Sequence, residues 1–83
     1  MNRRKLLKEI IGNSKNIRFS DMVNIVRGFG FVLSRTEGSH HIFVCPDIPE
    51  LVNLQNVKGQ AKPYQIRQFL KLVEKHNLKL EDE

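Results

Sequence analysis

The residues best suited to chemistry stand together in the run Glu37-Gly38-Ser39-His40-His41-Ile42-Phe43. Histidine is the side chain best able to take and give a proton near neutral pH. Gly38 readily adopts the positive φ of a tight turn, so we expect the histidines at the start of a β-strand. Adjacent strand residues point to opposite faces, so at most one of the two histidines is expected to act on a substrate. Taken alone, such a pair is more often structural than catalytic.

The charge balance indicates what such a histidine would act on. The chain has 83 residues and a net charge of +5, from 14 Lys and Arg against 9 Asp and Glu. A basic surface favours an anionic partner, and RNA is a phosphate ester that carries its own nucleophile. Many small basic proteins bind no nucleic acid, so the charge supports this hypothesis without establishing it.

RNA cleavage without a metal needs three kinds of group. A base takes the proton of the 2′-hydroxyl, an acid protonates the leaving 5′-oxygen, and cations stabilise the charge that builds on phosphorus. The sequence offers histidine for proton transfer, and as cations it offers Arg35, Lys58, Lys62 and Arg67. Each of these cations, taken alone, is more often a solvated surface charge.

A metal centre is not expected, because the possible ligands are few and badly spaced. His76 lies near a helix end, where it is expected to complement the helix dipole. Cys45 stands alone and cannot form an internal disulfide. No apolar run approaches the roughly 20 residues that span a bilayer, and no signal peptide is recognisable. We therefore expect a cytoplasmic protein without metal or cofactor.

The elements that must position these residues follow from the apolar pattern. The periodicity predicts an N-terminal helix that stops at Gly12, and a second helix with Ser20 as its N-cap. Alternating runs predict three strands, and Pro63 opens a last helix that ends near Asn77. The predicted class is α+β, with a three-stranded antiparallel sheet and helices packed on one face. The strands are expected at 31–36, 39–45 and 51–55, with a turn at 46–50, a polar loop at 56–62 and a frayed end at 78–83.

The pattern resembles the HicA toxins, the mRNA interferases of HicA–HicB toxin–antitoxin pairs. The resemblance covers about residues 19–78. It rests on a helix that ends in a glycine–aromatic turn, on the run 38–43, on a Pro-Asp-x-Pro turn at 46–49 and on a short third strand. It implies a domain over 19–78, an N-terminal helical extension over 1–18 and an acidic tail over 79–83.

The resemblance also implies a fold similar to double-stranded-RNA-binding domains, cleavage of mRNA and a HicB-type antitoxin that covers the active surface. The family's catalytic histidine directly follows Gly-Ser, which here makes it His40. RNA contacts are then expected from Gly38, Ser39, Arg35, Lys58 and Lys62.

Two departures from the family pattern leave roles open. A Pro-His-Pro-Lys-Lys-like stretch that often follows the third strand is replaced by residues 54–63, so no second proton-transfer residue is assigned. The extension over 1–18 could lie across the domain, add to the antitoxin contact or be mobile.

Two other functions fit the residues alone. The chain could be a non-catalytic RNA-binding module of the same fold, with His40 as a surface contact. It could also be a regulatory domain whose only ligand is another protein.

Overall fold

Three helices and one four-stranded antiparallel sheet form in the computed structural model, which describes residues 2–81. The elements in chain order are α1 (Arg3–Gly12), α2 (Phe19–Gly28), β1 (Val32–Glu37), β2 (His40–Cys45), β3 (Ile48–Val57), β4 (Gln60–Ala61) and α3 (Pro63–Lys75). The strand order is β1-β2-β3-β4. The predicted α+β class is confirmed, and a two-residue strand joins the three predicted ones. No helix within the described residues is long and apolar enough to cross a membrane.

The core lies between one face of the sheet and the helices. Phe43 on β2 pairs with Val52 on β3, and both side chains are buried beside the fully buried Leu54. Their neighbours along each strand point to the opposite face, which none of the three helices in residues 2–81 covers. The buried core cluster comprises Leu6, Ile10, Ile17, Phe19, Met22, Ile25, Val26, Phe29, Phe31, Phe43, Val52, Leu54, Ala61, Ile66 and Phe69.

The start of α2 differs from the prediction that Ser20 is the N-cap. The helix begins at Phe19, and its N-cap is Arg18, which makes no side-chain capping hydrogen bond. The Phe19 backbone N–H instead donates to the carbonyl of Gly59 at 2.8 Å. A helix start can use any acceptor for its free N–H groups, and here a distant turn provides one.

The stretch predicted as a polar loop at 56–62 is a hairpin. Strand β3 continues to Val57, and the turn residues Lys58 and Gly59 have φ values of 54° and 84°. Two successive positive φ values characterise the type I′ turn, whose twist matches that of a hairpin. The turn predicted at 46–50 is also shorter, since β3 already begins at Ile48.

Helix α1 is part of the folded core. Leu6 and Ile10 are buried, whereas Ile11, the next residue along the helix, is 64% exposed. The Arg3 guanidinium donates through Nε to the Asn24 side-chain oxygen at 2.8 Å, which ties α1 to α2. The extension is therefore packed along α2.

The C-terminal segment was expected to fray, but its described part is packed. Leu78 and Leu80 lie against the core, and the Glu81 N–H donates to the Gly28 carbonyl at 2.7 Å. A Cβ at Gly28 would lie 2.7 Å from Leu80 Cδ1, so only glycine allows this close approach without a shift. Residues 82–83, also part of the predicted frayed tail, lie outside the described residues.

Glu50 connects the sheet to the end of α3. Its carboxylate accepts from Lys75 Nζ at 2.6 Å and pairs with His76 Nε2 at 2.9 Å. The sequence predicted only an interaction of His76 with the helix dipole. In the structure His76 also pairs with the carboxylate of Glu50. Hydrogen bonds from Lys75 and His76 lower the pKa of Glu50 from 4.5 to about 2.

This ion pair predicts a pH-dependent stability. Because the folded pKa of Glu50, about 2, lies below its ordinary 4.5, the carboxylate stabilises the fold above about pH 4.5. The contribution is lost as the pH falls from 4.5 towards 2. We expect Glu50→Gln to be less stable than wild type at neutral pH, with a difference that shrinks across this window in urea unfolding. Glu74→Gln, at an exposed site on α3, is the control, and a Glu50→Gln difference independent of pH would contradict the assignment.

Candidate active site

The two histidines lie on opposite faces of the sheet, as predicted. His41 pairs with the buried Leu54 and faces the helices, where its ring lies 4.6 Å from the ring of Phe19, centroid to centroid. His40 faces the open side, and its Nδ1 lies 3.2 Å from the Asn53 side-chain oxygen. The pair therefore offers two separate environments for proton transfer.

Local contacts orient the imidazole of His41. Its Nδ1 lies 3.2 Å from the Ser39 carbonyl oxygen. A carbonyl only accepts, so Nδ1 carries the proton in this hydrogen bond and the lone pair is on Nε2. The Phe19 ring, tilted by 56°, packs against the imidazole. The neutral tautomer that makes this hydrogen bond therefore has Nε2, and not Nδ1, as its basic nitrogen.

Backbone hydrogen bonds join this histidine to the β3–β4 turn. The Ser39 carbonyl also accepts the N–H of Asn56 at 2.9 Å. The Asn56 side chain in turn accepts the N–H of Gly59 at 2.8 Å. The Gly59 carbonyl then accepts the N–H of Phe19, so the β1–β2 turn, the β3–β4 turn and the start of α2 meet at one place.

We call this place the basic corner and define it as Arg18, Phe19, His41 and Lys58. In residues 2–81, neither Arg18 nor Lys58 has a carboxylate within 4.0 Å, so their charges are not neutralised by an ion pair. The sequence alone does not single out Arg18 or Phe19. The signal that could have found them is the pair of apolar residues, Ile17 and Phe19, that flank an exposed arginine.

The surroundings of His40 carry balanced charge. Glu37 lies directly opposite His40 on β1, and its carboxylate accepts from Arg35 Nε at 2.7 Å. Arg35 pairs with Ile42, the residue after His41. A cation predicted to contact RNA is thus paired with a carboxylate, on the face away from the basic corner.

The remaining predicted contacts lie around the two turns. Gly38 has a φ of +60° in the β1–β2 turn, and Ser39 follows it. Lys62 is the residue before α3, and its Nζ lies 5.8 Å from the ring centroid of Tyr64, which is 48% exposed. Lys62 follows Ala61, whose N–H donates to the Ile17 carbonyl beside Arg18.

A buried glutamine attaches α3 to β3, the strand that pairs with the histidine-bearing β2. The side-chain oxygen of Gln65, 3% exposed, accepts the Gln55 N–H at 2.7 Å. Gln55 is the residue opposite His40. Sequence analysis does not identify this link, because a glutamine beside Ile66 reads as an ordinary helix residue.

Removal of this acceptor should destabilise the protein. Gln65→Leu keeps the volume but leaves the Gln55 N–H without its partner, which costs about 1–3 kcal/mol for a buried donor. Urea unfolding of the variant should show this loss, whereas Gln68→Leu, at an exposed position of the same helix, should be close to neutral. Equal effects of the two substitutions would show that the hydrogen bond is not what stabilises this contact.

The comparison with protein families identifies the group. The model of the HicA toxin of bacterial toxin–antitoxin matches residues 19–74, more than half of the chain. The chain belongs to the HicA toxin family. No curated protein and no solved structure is significantly similar to it.

Membership in the HicA family has two direct consequences. The chain is a toxin of a toxin–antitoxin system, and such a system implies an antitoxin as partner. The match also includes both histidines and the β3–β4 turn, but not α1. Helix α1 is therefore an addition to the part of the chain that the family shares.

Proposed function

We propose that this HicA toxin is an endoribonuclease that cleaves mRNA in the cytoplasm by histidine acid–base chemistry that needs no metal. The observation that carries the proposal is the basic corner, where backbone hydrogen bonds join the start of α2 to the β3–β4 turn beside an oriented histidine, and where Arg18 and Lys58 form no ion pair among residues 2–81. Such a site attracts an RNA phosphate and supplies a proton-transfer group at the same place. Family membership supports the same reading.

The reaction uses the nucleophile of the RNA itself. The imidazole Nε2 takes the proton of a 2′-hydroxyl, whose oxygen attacks the adjacent phosphorus. A P–O bond forms to the 2′-oxygen and the P–O bond to the 5′-oxygen breaks. The leaving 5′-oxygen takes a proton from the imidazolium that the first transfer formed, which leaves a 2′,3′-cyclic phosphate, a 5′-hydroxyl and the neutral imidazole. The cations of the corner stabilise the negative charge that builds on the phosphoryl oxygens.

The two histidines compete for the catalytic role. The resemblance to the family implies His40, which is held by Asn53 on the open face. The charges favour His41, because the carboxylate of Glu37, opposite His40, is paired with Arg35 and this pair carries no net positive charge to attract a phosphate. We therefore propose His41 as the base of the basic corner and retain His40 as the competing assignment.

Cleavage assays with both histidine variants distinguish the assignments. Purified wild type should cleave RNA in EDTA, and His41→Ala should reduce the rate by about 10²–10⁴-fold, the usual worth of a general acid–base group. His40→Ala, at the adjacent position of the same strand, is the matched control and should retain activity.

Other outcomes of this assay have equally definite meanings. Loss of activity in His40→Ala alone would move the chemistry to the open face. Equal cleavage by both variants would place the activity elsewhere or in a contaminant. Binding of RNA without cleavage by any of the proteins would replace the enzyme with a non-catalytic RNA-binding module.

The proposed RNA contacts divide by position. Lys58 and Lys62 are proposed to bind phosphates near the basic corner, and Gly38 and Ser39 to border the bound strand at the β1–β2 turn. Arg35 would contact RNA only from the open face, where Glu37 competes for it. A HicB-type antitoxin is proposed to neutralise the toxin by covering the basic corner.

The salt dependence of RNA binding tests the role of Lys58. Binding to single-stranded RNA is measured in the His40→Ala/His41→Ala double variant, so that the RNA stays intact. Lys58→Ala should weaken binding and lower the slope of log Kd against log salt by about 0.7, the value for one phosphate contact. Lys71→Ala, an exposed lysine on α3, should leave the slope unchanged, and an equal decrease in both variants would indicate a general charge effect.

A further inference from the structure

A cavity of about 320 Å³ opens between α1 and the start of α2. This volume is at the lower end of the range for pockets that hold small organic ligands. Neither histidine lines it, and the proposed chemistry does not use it. The residues that line it are Leu6, Glu9, Asn16, Ile17, Arg18 and Asp21.

The lining has an apolar floor and a charged rim. Leu6 is 4% exposed and Ile17 is 9% exposed, so both present buried apolar surface. Among the described residues, Glu9, Arg18 and Asp21 form no ion pair, which leaves their hydrogen-bonding groups available for a ligand. With two carboxylates and one guanidinium, the rim of the cavity carries a net negative charge and would repel a phosphate. The cavity therefore favours an uncharged ligand that has apolar surface for the floor and N–H donors for the carboxylates.

The cavity adjoins the basic corner through a continuous segment. Arg18 lines the cavity and is also part of the corner, and Phe19, the next residue, packs against His41. A nucleotide whose phosphate lies at the corner therefore has its base within reach of the cavity. Helix α1, which the family match leaves out, supplies Leu6 and Glu9.

We propose that this cavity binds a guanine base of the RNA substrate, an inference that rests on the proposed nuclease function. Guanine places the N1–H and the N2 amino group side by side, so one carboxylate of Glu9 or Asp21 accepts both. Arg18 can donate to guanine O6 and N7, the commonest contact to this base. Leu6 and Ile17 would pack against the plane of the ring.

The other bases fit this rim less well. Adenine and cytosine each present an amino donor beside a ring-nitrogen acceptor, which a carboxylate repels. Uracil presents one N–H donor between two carbonyl acceptors. The carboxylates therefore select for guanine by leaving the acceptors of the other bases unpaired.

Mapping of cleavage sites tests this specificity. The full-length protein is given an RNA pool of random sequence, and cut positions are read by sequencing. Wild type should prefer guanine at one position next to the cut. Glu9→Gln and Asp21→Asn each add an amide donor, and at least one of them should reduce the preference about tenfold, within the range for a bidentate base contact. Glu74→Gln and Asp47→Asn, with the same chemical changes at exposed sites elsewhere, should keep it.

A direct binding measurement separates this proposal from the nuclease proposal. Guanosine added to the full-length protein should shift the NMR methyl signals of Leu6 and Ile17, and adenosine should shift them at least tenfold less. Such shifts in a protein that cleaves no RNA would support the proposed guanine site and contradict the proposed nuclease function. Cleavage with the same base preference in wild type and both cavity variants, or equal shifts with both nucleosides, would overturn the guanine site. Loss of antitoxin affinity in Asp21→Asn with an unchanged cleavage pattern would also overturn it, in favour of a protein contact.

Discussion

The hydrogen bonds between residues 17–19 and 59–61 hold the basic corner together. The Phe19 N–H donates to Gly59 at 2.8 Å, and the Ala61 N–H donates to Ile17 at 2.9 Å. These two bonds attach the start of α2 to the last hairpin of the sheet. Because of them, the Phe19 ring lies beside His41, while Arg18 lies near the β3–β4 turn and also lines the cavity under α1. The site and the cavity thus depend on one short backbone pairing between segments about 40 positions apart in the chain.

Most of the fold could be predicted, because its main elements follow local rules. The alternation along β2 and β3 and the helical spacing from Met22 to Phe29 are visible in the sequence, and Pro63 marks the first residue of α3. The start of α2 and strand β4 could not be predicted in this way, because each is stabilised by the other across the fold. A two-residue strand has too little sequence pattern to be recognised without its partner. The turn at Lys58-Gly59 could have been predicted in part, because a polar residue followed by glycine is typical of a two-residue hairpin turn. The polar residues around it instead indicated a loop.

The site was predictable to a lesser degree. The opposite orientation of His40 and His41 follows from strand geometry alone, and the sequence was sufficient to predict it. The charge around each histidine could not be predicted, because it depends on which side chains the fold brings together. Arg35 is one cation among several in the sequence, but in the structure it is paired with Glu37, two positions later on the same face. The two cations of the basic corner come from residues 18 and 58, which no local pattern brings together.

The packing at Gly28 has a consequence for how this protein could be joined to other polypeptides. Residues 3 and 81 both reach the C-terminal end of α2, where Arg3 Nη1 donates to the Glu81 carbonyl at 3.1 Å. The histidines and their cations lie at the other end of this helix, which has 10 residues and therefore a length of roughly 15 Å. A polypeptide attached before residue 3 or after residue 81 would thus emerge on the far side of the domain. Either end is a suitable attachment point for a reporter or a tether that leaves the basic corner unobstructed.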